Sequence, residues 1–119
     1  MKQSSLRIVI VILTLITTVI HLALGIAGIA SGNPDVFSVL FVFNGLGYIG
    51  LLLALYAPNF PVFSTNRMLA HYAMIGYTAL TFVLYFVFNG FASMGIAAII
   101  AKSAELLLII ATFWHMRVE

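Results

Sequence analysis

The chain contains no cysteine, which excludes a disulfide scaffold, a thiol nucleophile, an iron–sulfur cluster and cysteine-type zinc sites. Charge is almost as scarce. Five Lys/Arg and three Asp/Glu amount to 7% of the 119 residues, against roughly 25% in a soluble domain. The sequence pI near 9.2 therefore rests on a handful of cations. That is too few for a phosphate-binding surface, so nucleic acid is excluded as a partner. Phosphate loops, nucleophile motifs and paired catalytic carboxylates are missing as well, and the expectation is a protein that is not an enzyme. What is abundant is apolar: 64% of residues are hydrophobic and the mean hydropathy is +1.21. This is the composition of an integral membrane protein.

A spanning helix needs about 20 mostly apolar residues, and four stretches qualify: Ile8–Ala30, Val36–Tyr56, Met68–Phe88 and Phe91–Trp114. A membrane β-barrel would instead show about 10-residue segments of alternating character. The predicted fold is all-α, a single transmembrane domain forming a four-helix bundle. Ser31-Gly32-Asn33-Pro34-Asp35 reads as a turn, because Gly and Asn favour turns and Pro34 stops a helix. Ala57 to Arg67, with Pro58 and Pro61, is the longest connection. Asn89-Gly90 is a minimal break, predicting that spans three and four are tightly paired. Trp114, Tyr56 and Tyr85 fall near span ends, where amphipathic rings settle at headgroup level. The first apolar run imitates a signal peptide but exceeds the usual h-region of about 7–15 residues, so it reads as an uncleaved span. Phe41-Val42-Phe43-Asn44-Gly45 recurs as Phe86-Val87-Phe88-Asn89-Gly90. The two copies sit at different depths, unlike the symmetric halves of an inverted-repeat transporter.

Lys2, Arg7, Arg67 and Arg117 all fall on one side of a four-span layout, while the opposite loops hold Asp35 and no cation. The positive-inside rule then puts both termini in the cytoplasm of a multi-pass cell-membrane protein.

Polar groups within the spans are costly in lipid and are the default functional candidates. In span one, Thr14, Thr17, Thr18, His21, Gly25 and Gly28 step by three and four, hence share one helical face. Span two adds Asn44, Gly47 and Tyr48, span three His71, Thr78 and Tyr85, and span four Lys102 and Glu105. At 1.5 Å rise per residue, His21, Asn44, Thr78, Lys102 and Glu105 lie roughly 12–21 Å below the outer boundary. They form one layer around the middle of a core about 30 Å thick. Lys102 and Glu105, at i and i+3, are close enough to pair. Such a pair reads either as a structural lock on span four or as a proton relay or ligand counter-ion. His21 has two candidate partners, Asn44 and Thr17, and a third reading joins it with Glu105 as a proton or ligand site.

Gly25 and Gly28 in span one with Gly45, Gly47 and Gly50 in span two predict a close-packing seam; an unwound substrate-binding helix is the alternative. Ser93, Ala97, Ala101 and Glu105 step by four, predicting a second close contact along span four. His71 and His115 both fall near the cytoplasmic boundary on neighbouring helices, which raises bis-histidine haem b ligation; ordinary interfacial histidines are the alternative. No two histidines are spaced i, i+3 or i+4, and no metal site is expected.

His21-Leu22-Ala23-Leu24-Gly25, then Leu40-Phe41-Val42-Phe43-Asn44-Gly45-Leu46-Gly47-Tyr48 running to Pro58, then Lys102 with Glu105, resembles a family of small four-span membrane proteins. That family occurs in halophilic archaea and Chloroflexi-type bacteria and is uncharacterised. The resemblance implies the four-helix layout and matches for His21, Asn44, Lys102 and Glu105, and it implies no activity. Three functions remain open. The first is a non-catalytic accessory subunit of a larger respiratory or photosynthetic membrane complex, its partners being lipid and other membrane subunits or itself. The second is a small proton-coupled carrier or oligomeric transporter using the polar layer. The third is a haem b electron carrier using His71 and His115.

Overall fold

The computed structural model describes residues 2–32, 35–57, 59–90 and 95–119. It contains four helices: α1 (Gln3–Ala30), α2 (Val36–Tyr56), α3 (Arg67–Asn89) and α4 (Ile96–Val118). All four are long and apolar enough to cross a membrane. The chain is a four-helix all-α bundle, and its longest extent, 44 Å, matches a bilayer with its headgroup regions at about 40–45 Å.

Local chemistry sets the helix starts. The Asp35 carboxylate accepts from the Ser38 backbone N–H at 2.8 Å and from the Ser38 hydroxyl at 3.0 Å, capping α2. The Asn66 side-chain oxygen accepts from the Leu69 N–H at 3.1 Å and does the same for α3. α1 starts five residues before the predicted span, because its first turns are polar yet continuous with the apolar run. The break between α3 and α4 is longer than Asn89-Gly90. Gly90 takes φ +69° and ends α3, while α4 begins only at Ile96. Asn33, Pro34, Pro58, the predicted span start Phe91, and Ser93 lie outside the described residues.

The helices form a ring in chain order, each packed on its sequence neighbours, with α1 closing onto α4. Among the described residues the diagonal pairs make no close backbone approach, and long side chains bridge them instead, as where Tyr56 of α2 meets His115 of α4. The α1–α2 contact is the most extensive and α2–α3 the least. α3 and α4 are neighbours, as the short break predicted, but are less closely applied than α1 and α2.

Glycines explain the tight pair. A Cβ at Gly25 would lie 2.7 Å from the Ser38 carbonyl oxygen and 2.8 Å from the Val42 nitrogen, and one at Gly45 would lie 2.8 Å from Leu22 Cγ. A Cβ at Gly28 would meet the Ser38 side chain at comparably close range, whereas one at Gly47 would meet the Tyr77 hydroxyl of α3, so Gly47 packs against α3 and not in the α1–α2 seam. Gly50 is not part of this seam, since a Cβ there has nothing within 4 Å. Ala97 is exposed, so the small-residue contact along α4 begins at Ala101.

Both termini lie at one end of the bundle, because Arg7 of α1 stacks on Tyr56 of α2 and Arg67 of α3 pairs with Glu119 beyond α4. The apolar core sits in that half. Ile10, Tyr48, Leu55, Ala70, Met74, Leu108 and Ala111 come from all four helices and are buried together. In the other half α2 and α3 meet through side chains, Asn44 with Thr81 and Phe37 with Phe88.

Candidate mid-membrane site

α1 turns Thr14, Thr17, Thr18, His21 and Gly25 inward, all buried; α4 turns in Ala101, Lys102, Ala104, Glu105 and Leu108. Where these faces meet, Lys102 Nζ donates to Glu105 Oε1 at 2.8 Å. Glu105 is fully buried, and its second oxygen, Oε2, accepts from Thr17 Oγ1 at 3.0 Å. His21 Nδ1 donates to the Thr17 carbonyl at 2.7 Å and lies 3.2 Å from Thr17 Oγ1. The result is one connected chain, Lys102–Glu105–Thr17–His21, across two helices. A buried pair is tolerated when its remaining lone pairs are also bonded, and Thr17 supplies that bond here.

The Lys102 ammonium also lies 4.8 Å from the Tyr85 ring centroid, within cation–π range. His21 packs edge-on to Phe41, with centroids 5.7 Å apart. Because its Nδ1 carries the hydrogen bonded to Thr17, its Nε2 is the free nitrogen, and it has no hydrogen bond among the described residues.

The other members of the predicted layer go elsewhere. Asn44 does not reach His21; its Nδ2 donates to Thr81 Oγ1 at 2.9 Å, and its backbone carbonyl accepts from Tyr77 Oη at 2.8 Å. Thr78 bonds its own helix, Oγ1 to the Met74 carbonyl at 2.7 Å. Asn44 thus ties α2 to α3, while His21 belongs to the α1–α4 chain.

Above this layer a cavity of about 320 Å³ lies between α2 and α3. Its floor carries His21, Asn44 and Lys102; its walls are Phe41, Tyr77, Thr81 and Tyr85, and its rim includes Leu40, Phe43, Leu80, Leu84 and Phe88. The rim residues are exposed on the outer surface of the bundle, so the cavity opens sideways between two helices. Both copies of the repeated pentapeptide contribute, Phe41, Phe43 and Asn44 from one and Phe88 and Asn89 from the other.

At the end that carries the termini a second cluster forms. His115 is fully buried and His71 nearly so, although both lie at this end of the bundle. Their ring centroids are 5.2 Å apart at an interplanar angle of 62°, with His71 Nε2 3.4 Å from His115 Nδ1. Bis-histidine haem ligation needs a macrocycle between the two rings. These rings touch edge to face and leave no slot, so the pair does not fit haem b. Glu119 joins them: His71 Nε2 lies 2.9 Å and His115 Nε2 3.8 Å from Glu119 Oε2. One donor atom from each of the three residues falls within 4.8 Å of the others. Helical spacing alone gave no sign of this grouping, because it comes from two helices and a helix end. Partial burial pushes the Glu119 carboxyl up; the hydrogen bond from Arg67 and the nearby charges of His71, Arg67 and His115 outweigh it and hold the group below the usual carboxylate range.

A family model described as a family of unknown function, DUF7475, matches residues 1–115. The chain belongs to that family. The match spans all four helices, His21, Asn44, Lys102, Glu105, His71 and His115, and stops short of Glu119. Among curated proteins and among solved structures, none matches the chain.

Proposed function

We propose that this member of the family is a small membrane-embedded binding protein or carrier that takes a compact, largely apolar anion into the α2–α3 cavity together with a proton. The observation that carries the reading is the buried Lys102–Glu105–Thr17–His21 chain, whose two ends, Lys102 and His21, line a cavity open between two helices. A volume of about 320 Å³ is at the small end of ligand pockets, roughly 300–1,000 Å³. Without ligand, Lys102 and Glu105 neutralise each other. An anion that engages Lys102 leaves Glu105 as the surplus charge, and a proton on Glu105 restores neutrality at a depth where an uncompensated charge costs about 2.5–3.5 kcal/mol on insertion scales. Anion and proton thus enter as a neutral pair. His21, with Nε2 free, is the second polar contact.

The test is a thermal-stability screen of purified protein in neutral detergent with aromatic monocarboxylates from benzoate to 1-naphthoate. Ligand at 100 times its Kd stabilises by about 2.7 kcal/mol. 1-Naphthoate is expected to raise Tm, 1-naphthamide to have a smaller effect, and the Lys102→Met/Glu105→Met double variant to respond to neither. An equal response in the double variant, or no response to any acid, refutes the reading.

A second reading is the accessory subunit of a larger respiratory or photosynthetic membrane complex. It is favoured by the large apolar side chains on the outside of the bundle, among them Phe43, Phe88, Phe113 and Trp114, which suit either lipid or a neighbouring subunit. Mild-detergent extraction followed by a native gel separates the two readings: stoichiometric partners support the subunit, and migration near a multiple of 13.0 kDa supports the carrier. In either case the excess of cations at the terminus-bearing end supports cytoplasmic termini in a cell membrane. We also place the chain with the small four-span proteins of halophilic archaea and Chloroflexi-type bacteria that it resembles.

A further inference from the structure

We propose that His71, His115 and Glu119 form a binding site for a divalent transition-metal ion of the zinc class at the terminus-bearing end of the bundle. The argument starts from hydrogen positions. His71 Nδ1 lies 2.7 Å from the Arg67 carbonyl oxygen, an acceptor, so Nδ1 carries the hydrogen and Nε2 presents its lone pair. That lone pair faces a carboxylate oxygen, Glu119 Oε2, at 2.9 Å, and a nitrogen of His115 at 3.4 Å. The Nε2 lone pair and the carboxylate oxygen, 2.9 Å apart, repel one another unless a proton or a metal cation lies between them. A proton on His71 satisfies one of these contacts. It leaves His115 Nε2, which is fully buried and has no hydrogen-bond partner, unmet. A divalent ion satisfies all three at once.

The donor set and its support fit that role. Two imidazoles and one carboxylate are a ligand set of open zinc and other first-row metal sites. Bonds of about 2.0–2.2 Å place tetrahedral donors roughly 3.3 Å apart; Glu119 Oε2 lies 2.9 Å from His71 Nε2 and 3.8 Å from His115 Nε2, one on either side of that value. Each ligand is oriented from behind, as metal ligands usually are. The Arg67 carbonyl holds His71, Tyr56 Oη lies 3.1 Å from His115 Nδ1, and Arg67 Nε grips the other Glu119 oxygen, Oε1, at 2.6 Å. The Glu119 side chain is 21% exposed, which leaves a path from water. The site is independent of the α2–α3 cavity and of the function proposed for it.

Cobalt(II) is the probe, because its visible bands report nitrogen and oxygen ligation in a low-coordinate site. Tag-free protein in neutral detergent, stripped with a chelator, is titrated with cobalt and then with zinc. The expected result is a saturable band at one cobalt per chain, displaced by zinc. His71→Gln and Glu119→Gln should each weaken binding by at least the roughly 10–100-fold that loss of an outer-shell partner costs, while His21→Gln leaves it unchanged. Glu119 lies past the end of α4, so its variant tests the site even if His71→Gln fails to fold. A cluster that merely shares a proton gives no cobalt band. That result, a stoichiometry other than one, or a band untouched by Glu119→Gln overturns the proposal.

Discussion

Removing one partner of the Lys102–Glu105 pair should do more damage than removing both, and the two single variants should respond to pH in opposite directions. In Lys102→Met the fully buried Glu105 keeps the Thr17 hydrogen bond but loses the ammonium 2.8 Å away. The least costly outcome is to take up a proton. Neutralising a carboxyl of ordinary affinity at pH 7 costs about 3.7 kcal/mol, changing by about 1.4 kcal/mol per pH unit. In the folded variant the proton is bound, and in the unfolded one it is not, so stability should fall as pH rises above about 4.3. In Glu105→Met the stranded amine sheds its proton, at about 4.6 kcal/mol at pH 7. Here the unfolded state binds the extra proton, so stability should rise with pH up to about 10.4. Both values agree with the 3–5 kcal/mol typical of breaking a buried pair, whereas replacing the whole pair by apolar side chains is often neutral or stabilising. Reversible unfolding of the purified protein in detergent, followed by circular dichroism between pH 5 and 9, measures all three variants. Two single variants as stable as the parent and flat with pH, or a double variant as damaged as the worse single one, would refute this account.

Gly25→Ala should cost about 1–3 kcal/mol by overpacking, because its Cβ lands on the α2 backbone. Gly50→Ala should be neutral or gain up to about 1 kcal/mol of helix propensity, and the same unfolding assay compares them. Gly47→Ala is expected to push against the Tyr77 hydroxyl, so Tyr77→Phe should recover part of the loss; additive effects in the double-mutant cycle would show the two do not touch. Asp35 is held below its ordinary carboxylate value chiefly by the Ser38 backbone N–H, with help from the Ser38 hydroxyl. Its support of the α2 start should be complete at neutral pH and lost as the pH falls through that lowered value. The Ser38 amide protection factor, corrected for intrinsic exchange, is the readout; a value unchanged down to pH 2 contradicts the cap.

Periodicity alone carried a good part of this architecture. The threonine–histidine face of α1 is buried residue for residue, since a charge-poor helix in lipid has one place to put its hydroxyls. The Lys102–Glu105 contact likewise follows from i, i+3 spacing within one helix. Contacts between helices were less legible. Asn44 and His21 were expected at similar depth, but depth does not specify rotation about the helix axis. The structure turns Asn44 toward Thr81 and leaves His21 to Thr17. His115 was expected near a boundary as an ordinary interfacial residue, and its complete burial beside His71 and Glu119 was not legible. Glu119 was not considered for that cluster at all, because a residue past a helix end has no periodicity to place it.

The loose seam between α2 and α3 bears on how any affinity for the cavity should be measured. In the proposed carrier reading its mouth opens between two spanning helices, so an apolar ligand would reach it after dissolving in the bilayer, and the concentration that drives occupancy would be moles per lipid. A Kd expressed per litre of water should then drift upward as lipid or detergent is added at fixed protein, while the same constant expressed as a mole fraction in the membrane stays put. Acids that seem weak in dilute micelles would thus rank by how well they partition as much as by how well they fit.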